Sequence, residues 1–240
     1  MSYKTSNPAL SGKTFSRFDA SNASGPSMTL AGTVNKTYIL LAVLLGAAFA
    51  SWSFGLAPQF LLGGALVAAI VGVVYIFKPH LVFLSLIYAA LEGAVLGGLS
   101  TLIEKVYPGI VLNTVVMTVL LLVVMLVSYH SGLIKVTEKL KSGIITAMCA
   151  LCLVYIVDLL LMVFGHRVPF LHEGGWMGIL VSLFITGLAS FNLLLNFDFI
   201  EQGVKHRAPQ FYEWYAAYGL ILALVWLYLE VLNLLEELRS

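Results

Sequence analysis

Four acidic side chains stand inside long apolar runs of this 240-residue chain. Glu92 lies in Tyr88-Ala89-Ala90-Leu91-Glu92-Gly93, and Asp158 in Tyr155-Ile156-Val157-Asp158. Asp198 lies in Asn196-Phe197-Asp198-Phe199-Ile200-Glu201, and Glu230 in Trp226-Leu227-Tyr228-Leu229-Glu230-Val231. These four runs hold no Lys or Arg to neutralise them. An ionised carboxylate near the middle of a bilayer costs about 2.5–3.5 kcal/mol on insertion scales. Such a group must take up a proton, share one, or bind a cation. Two chemistries fit: a proton-sensitive cation site, or carboxyls kept protonated and hydrogen-bonded to Ser, Asn or backbone.

Helical spacing sorts the neighbours of these acids. Asn192 and Asn196 share one face, whereas Asp198, two residues on, points elsewhere and shares a face with Glu201. Asn233, three residues after Glu230, is placed to donate to a shared site. Tyr212, Tyr215, Trp226 and Tyr228 read as packing or interfacial residues. Cys149 and Cys152 form a CxxC without a second pair or an HxxxH to complete a metal site, so they read as core-packing thiols. His130, His166, His172 and His206 fall in loops or at the ends of runs and read as solvated. Neither a nucleophile motif nor a phosphate loop is present. An intramembrane di-aspartyl protease, with Asp158 and Asp198 sharing a proton, lacks its GxGD-type motif. The expectation is therefore no catalytic residues, no resident metal and no cofactor.

The elements that position these residues follow from composition. Sixty per cent of residues are hydrophobic and 10% charged, against roughly 25% charged in a soluble domain. Mean hydropathy is +0.96. Apolar runs lie at 38–54, 58–77, 81–103, 108–129, 144–164, 176–200 and 209–235. Each is long enough to cross about 30 Å of hydrocarbon at 1.5 Å per residue. The predicted class is an all-α integral membrane protein, a bundle of seven transmembrane helices over residues 36–240. Residues 1–35, rich in Ser, Asn, Thr and Gly, read as a disordered or loosely docked tail. Asn7-Pro8-Ala9-Leu10 and Met28-Thr29-Leu30 are the pieces of it suited to docking. Gly93 and Gly97, and Gly46 with Ala50, are small-xxx-small steps suited to close helix packing. Of the 13 Lys and Arg, ten fall on the side holding the N-terminus, which places that end in the cytoplasm and the C-terminus outside. The net charge of +1 and the absence of a basic block give no footing for nucleic acid. Membrane lipids and other membrane proteins are the expected partners.

Two stretches resemble the Bax inhibitor family, the transmembrane Bax-inhibitor-motif proteins that include bacterial YccA-type members. Asn196-Phe197-Asp198-Phe199-Ile200 resembles the family's aromatic-Asp step at the end of helix six. Leu227-Tyr228-Leu229-Glu230-Val231-Leu232-Asn233-Leu234 resembles its seventh-helix pattern, with Glu where the family has Asp. Residues 7–10 and 28–36 resemble a bacterial branch. The resemblance implies a seven-helix bundle with the C-terminal helix near the centre, in a bacterial inner membrane. It implies a pH-sensitive Ca²⁺ leak gated by two carboxylates between helices six and seven, here Asp198 and Glu230. A non-conducting regulator of a membrane protease or stress response is the alternative. The acid and arginine that compared members carry in helix two are missing from residues 58–77. If Gly203 to Pro209 forms a tight turn, Glu213 rather than Glu230 comes opposite Asp198. Glu92, Asp158, Glu213, Asn196 and Asn233 complete the candidate ion-path and pairing residues.

Overall fold

The structure, a computed structural model, describes residues 25–55, 58–165, 168 and 175–239. Residues 7–10, His166 and His172 lie outside the described residues. Among the described residues seven helices follow in order: α1 (Leu30–Phe54), α2 (Pro58–Phe77), α3 (Phe83–Val106), α4 (Ile110–His130), α5 (Glu138–Val163), α6 (Trp176–Lys205) and α7 (Tyr212–Glu237). Among the described residues six of them are long and apolar enough to cross a membrane, and Leu61–Phe77 is a shorter apolar helix. Helix is the form in which every backbone polar group is satisfied within the segment, which an apolar solvent demands.

Local chemistry sets the boundaries. Thr29 is the N-cap of α1; its Oγ1 accepts the Gly32 N–H at 3.0 Å. Residues 30–35, placed with the polar tail on composition, thus form the first turns of α1. Gly55 ends that helix at φ 65°, a left-handed conformation suited to glycine. Thr137 caps α5 through the Leu140 N–H, so this helix starts six residues before its apolar run. The Glu104 carboxylate accepts the N–H groups of Gly109 and Val111, at 2.6 and 3.0 Å, and so caps α4 from the end of α3. A carboxylate at a helix N-terminus satisfies orphan donors and complements the helix dipole.

The chain divides into two compact units, Met1–Leu99 with Asp198–Ile221 and Ser100–Phe197 with Leu222–Ser240. In the first, α1 and α3 approach closely. A Cβ on Gly93 or Gly97 would fall onto the carbonyl oxygen of Leu44 or Ala48. The other small step does no such work, for nothing lies within 4 Å of a Cβ on Gly46. Tyrosines from three helices interlock there: Tyr218 of α7 meets the rings of Tyr75 (α2) and Tyr88 (α3) edge-on, each at 4.9 Å. Edge-to-face contact is the arrangement that ring quadrupoles favour.

In the second unit the core is built from α6 and α7, with Leu193, Leu194, Leu227, Val231 and Leu232 almost fully buried. Ser100 and Tyr228 hydrogen-bond at 2.7 Å, and Asn233 Nδ2 donates to Ser182 Oγ at 3.0 Å. By contrast α5 leaves Leu153, Ile156, Val157 and Leu160 exposed. Cys149 and Cys152 are exposed on the same helix, which corrects their reading as core thiols. An apolar run with so little protein around it presents its thiols and its leucines to the solvent alike, and hydrocarbon is the solvent that tolerates both.

Candidate functional site

Glu230 sits well inside α7, and its side chain is buried, with 6% exposure. Two neutral donors meet it. Trp226 Nε1, one turn earlier on the same helix, donates to Oε1 at 2.9 Å. Tyr155 Oη of α5 donates to the same oxygen at 3.1 Å. Among the described residues no donor meets Oε2, and no Lys or Arg pairs with this carboxylate. The backbone carbonyl of Glu230 accepts Thr186 Oγ1 at 3.3 Å, which ties α6 to this turn of α7. Two expectations are corrected here. Trp226 is a partner of the carboxylate and not packing alone, and Asn233 donates to Ser182 rather than to Glu230. The i, i+4 spacing of Trp226 and Glu230 was a signal for the first bond. No sequence signal points to Tyr155, which is distant in the chain.

Glu213, in the first turn of α7, is more deeply buried, at 1% exposure. Its Oε1 accepts both the backbone N–H (2.8 Å) and the hydroxyl (2.9 Å) of Thr29. Its Oε2 forms an ion pair with the Lys36 ammonium. Lys36 also lies over the Trp214 ring, 5.7 Å from its centroid. The connection between α6 and α7 is the short one, running from Lys205 to Tyr212. With that turn Glu213 faces the start of α1, and both of its oxygens are engaged there. The helix that begins at Leu30 carries Lys36, the residue that follows the polar tail, into contact with a buried acid. Nothing in its sequence neighbourhood signals this.

Asp198 is on the last part of α6, and Gln202 Nε2, one turn on, donates to its Oδ1 at 3.4 Å. Glu201, which shares its face by spacing, pairs instead with Lys205 at 2.5 Å, both side chains being largely exposed. Asn196 Nδ2 donates to the Asn192 carbonyl at 3.0 Å, so that pair closes on its own helix. Asp158 Oδ1 accepts the Val168 N–H at 2.8 Å, a bond from the side chain of α5 to the backbone beyond its end. Glu92 stands mid-way along α3 with Tyr88 and Tyr218 as its electrostatic neighbours. Among the described residues no hydrogen bond reaches its carboxyl, and no three His, Cys, Asp or Glu form a metal-holding group.

The intramembrane acids therefore differ in kind. Glu213 is neutralised by a fixed cation. Asp158 is occupied by a backbone amide. Glu230 is held by neutral donors on one oxygen only, in a span whose composition supplies no counter-charge.

No curated protein and no solved structure matches this sequence. The protein family described as Bax inhibitor 1 like matches residues 7–240, close to the whole chain. The apolar helices and this match together make the chain a multi-pass integral membrane protein, and it belongs to the Bax inhibitor 1 like family.

Proposed function

We propose that this protein is a pH-responsive cation leak, with Ca²⁺ as the ion, gated by protonation of intramembrane carboxylates on α6 and α7. The reading rests on Glu230: a buried carboxylate on a spanning helix, bonded by Tyr155 and Trp226 at Oε1 and by no donor at Oε2 among the described residues. Neutral donors orient such a group without cancelling its charge. A proton or a mobile cation must do that. Hard cations are bound by carboxylate and carbonyl oxygens, which suits this chemistry to Ca²⁺. Family membership supports Asp198 as the second carboxylate and a bundle with α7 near its centre. The distribution of Lys and Arg supports a cytoplasmic N-terminus with the C-terminus outside, and the resemblance of residues 28–36 to a bacterial branch supports a bacterial inner membrane.

The test is flux. The purified protein is reconstituted in liposomes loaded with a calcium dye, and influx is followed from pH 6 to pH 8. The expected result is a pH-dependent influx whose pH response is lost in Glu230→Gln and blunted in Asp198→Asn. A protein that passes no Ca²⁺ across that range, or two variants that keep the wild-type profile, would overturn the reading and leave a non-conducting regulator in its place.

A further inference from the structure

We propose that residues 25–29 form a strap across the α6–α7 connection, and that the Lys36–Glu213 pair is its lock, holding α7 in a non-conducting position. This rests on the leak reading above and adds to it a second control point, remote from Glu230.

The strap is built from backbone first. Met28 N–H donates to the Ala208 carbonyl at 2.7 Å, and Gln210 N–H donates to the Pro26 carbonyl at 3.1 Å. Between them Ser27 and Pro209 form an isolated antiparallel bridge. The Met28 side chain, 2% exposed, is seated against Ile200, Ala208 and Ala216, with Phe199 and Val204 around them. The strap thus touches the end of α6, the connection and the first turns of α7, all within one compact unit.

The next residues supply the lock. Thr29 gives Glu213 two hydrogen bonds while its own Oγ1 caps α1, so one side chain joins the starts of two helices. Lys36 takes the remaining oxygen. Gly32 leaves the room: a Cβ there would fall onto the Glu213 carboxylate. The α7 N-terminus is consequently fixed to α1 by charge and hydrogen bonds rather than by apolar packing alone.

Two features make this a device that opens and not a permanent weld. The bridge has a single pair of residues, so few bonds must break for local opening. The connection it covers also contains strain: Arg207, at φ 50°, is the non-glycine residue with positive φ among the described residues. Such a conformation persists where surrounding contacts enforce it. Releasing the strap frees the turn that sets where α7 begins, and α7 is the helix that carries Glu230.

A reversible cross-link tests it. Paired residues of an antiparallel bridge have Cα atoms about 4.5–5.5 Å apart, inside the range a disulfide spans. Ser27→Cys with Pro209→Cys is made in a Cys149→Ala, Cys152→Ala background, reconstituted, and assayed for Ca²⁺ flux before and after reduction. The expected result is that oxidation lowers flux about 5-fold or more and that reductant restores it. Glu213→Gln raises flux by a similar factor of about 5. Failure of the cross-link to form would overturn the strap. Flux that is present but indifferent to oxidation and to Glu213→Gln would overturn its gating role and leave the leak intact. An absence of flux in the unmodified protein would remove the leak reading and this inference with it.

Discussion

Tyr155 Oη donates to Glu230 Oε1 over 3.1 Å, joining α5 to a buried carboxylate of α7 that is met by neutral donors. Trp226 Nε1 donates to the same oxygen at 2.9 Å. A hydrogen bond to a neutral acceptor contributes about 0.5–1.5 kcal/mol, and one to a charged acceptor about 1.5–3 kcal/mol. The cost of Tyr155→Phe or Trp226→Phe therefore reports the charge on Glu230. Ionisation increases with pH, so under the leak reading the cost increases too. Unfolding in detergent at pH 6 should show the smaller loss and at pH 8 the larger. A cost that is flat across that interval would mean that Glu230 does not change charge there.

The Lys36–Glu213 pair should behave as a coupled unit. Removing one partner of a buried ion pair strands the other; with Lys36 16% exposed, the cost belongs at the low end of the usual range, about 3 kcal/mol. Glu213→Gln and Lys36→Met are each expected to lower unfolding stability by about that amount. The double variant leaves no orphaned charge and should lose about 1–3 kcal/mol less than the sum. Thr29→Ala should cost about 1 kcal/mol through the lost cap alone, and more through Glu213. Strict additivity in the cycle would show that the pair does not form in the micelle.

What the sequence made legible was whatever depends on the chain's own local pattern. Apolar runs located the seven helices of the described residues, six of them long and apolar enough to span, because length and hydropathy are properties of contiguous residues. The boundaries differ where polar residues continue the helix: Leu30 to Asn35 and Glu138 to Gly143 are helical although composition reads them as tail and loop. Glu230 stands out by composition as an acid in an apolar run, and Glu213 enters as a candidate only through the tight turn that would set it opposite Asp198. Their partners were not legible, with the exception of the signal in Trp226. Lys36 meets Glu213 across most of the chain, and Tyr155 meets Glu230 across the whole of α6. Contacts of that separation are set by packing, and one sequence contains no pattern from which to read them. Asn233 shows the converse: correct spacing for Glu230, yet a bond to Ser182, because the rotation of α7 decides which neighbour its amide faces.

The glycines allow a sharper test of α1 against α3. Gly93→Ala or Gly97→Ala would drive a methyl into a backbone carbonyl of α1, an atom that moves only if the helix does. Overpacking of this kind costs about 1–3 kcal/mol. Gly46→Ala and Gly63→Ala meet open space, and each should be neutral or stabilising by up to about 1 kcal/mol through helix propensity. Thermal unfolding of the four variants in one detergent checks this. Equal behaviour across the two pairs would contradict the close approach of α1 and α3.

Asp158 should separate structural acids from conducting ones. Its Oδ1 accepts the Val168 N–H at 2.8 Å, and Val168 is itself buried. Asp158→Asn keeps a side-chain oxygen in place, so the amide stays satisfied and little stability is lost. Asp158→Ala leaves a buried N–H without that acceptor, at a cost of about 1–3 kcal/mol. Neither change removes a group that gates ions if the carboxylate serves the chain beyond α5. The expected outcome is therefore a Ca²⁺ flux in Asp158→Asn with the wild-type pH response, in contrast to Glu230→Gln. Loss of the pH response in Asp158→Asn, with stability unchanged, would place Asp158 on the ion path and reassign the gate from α7 to α5.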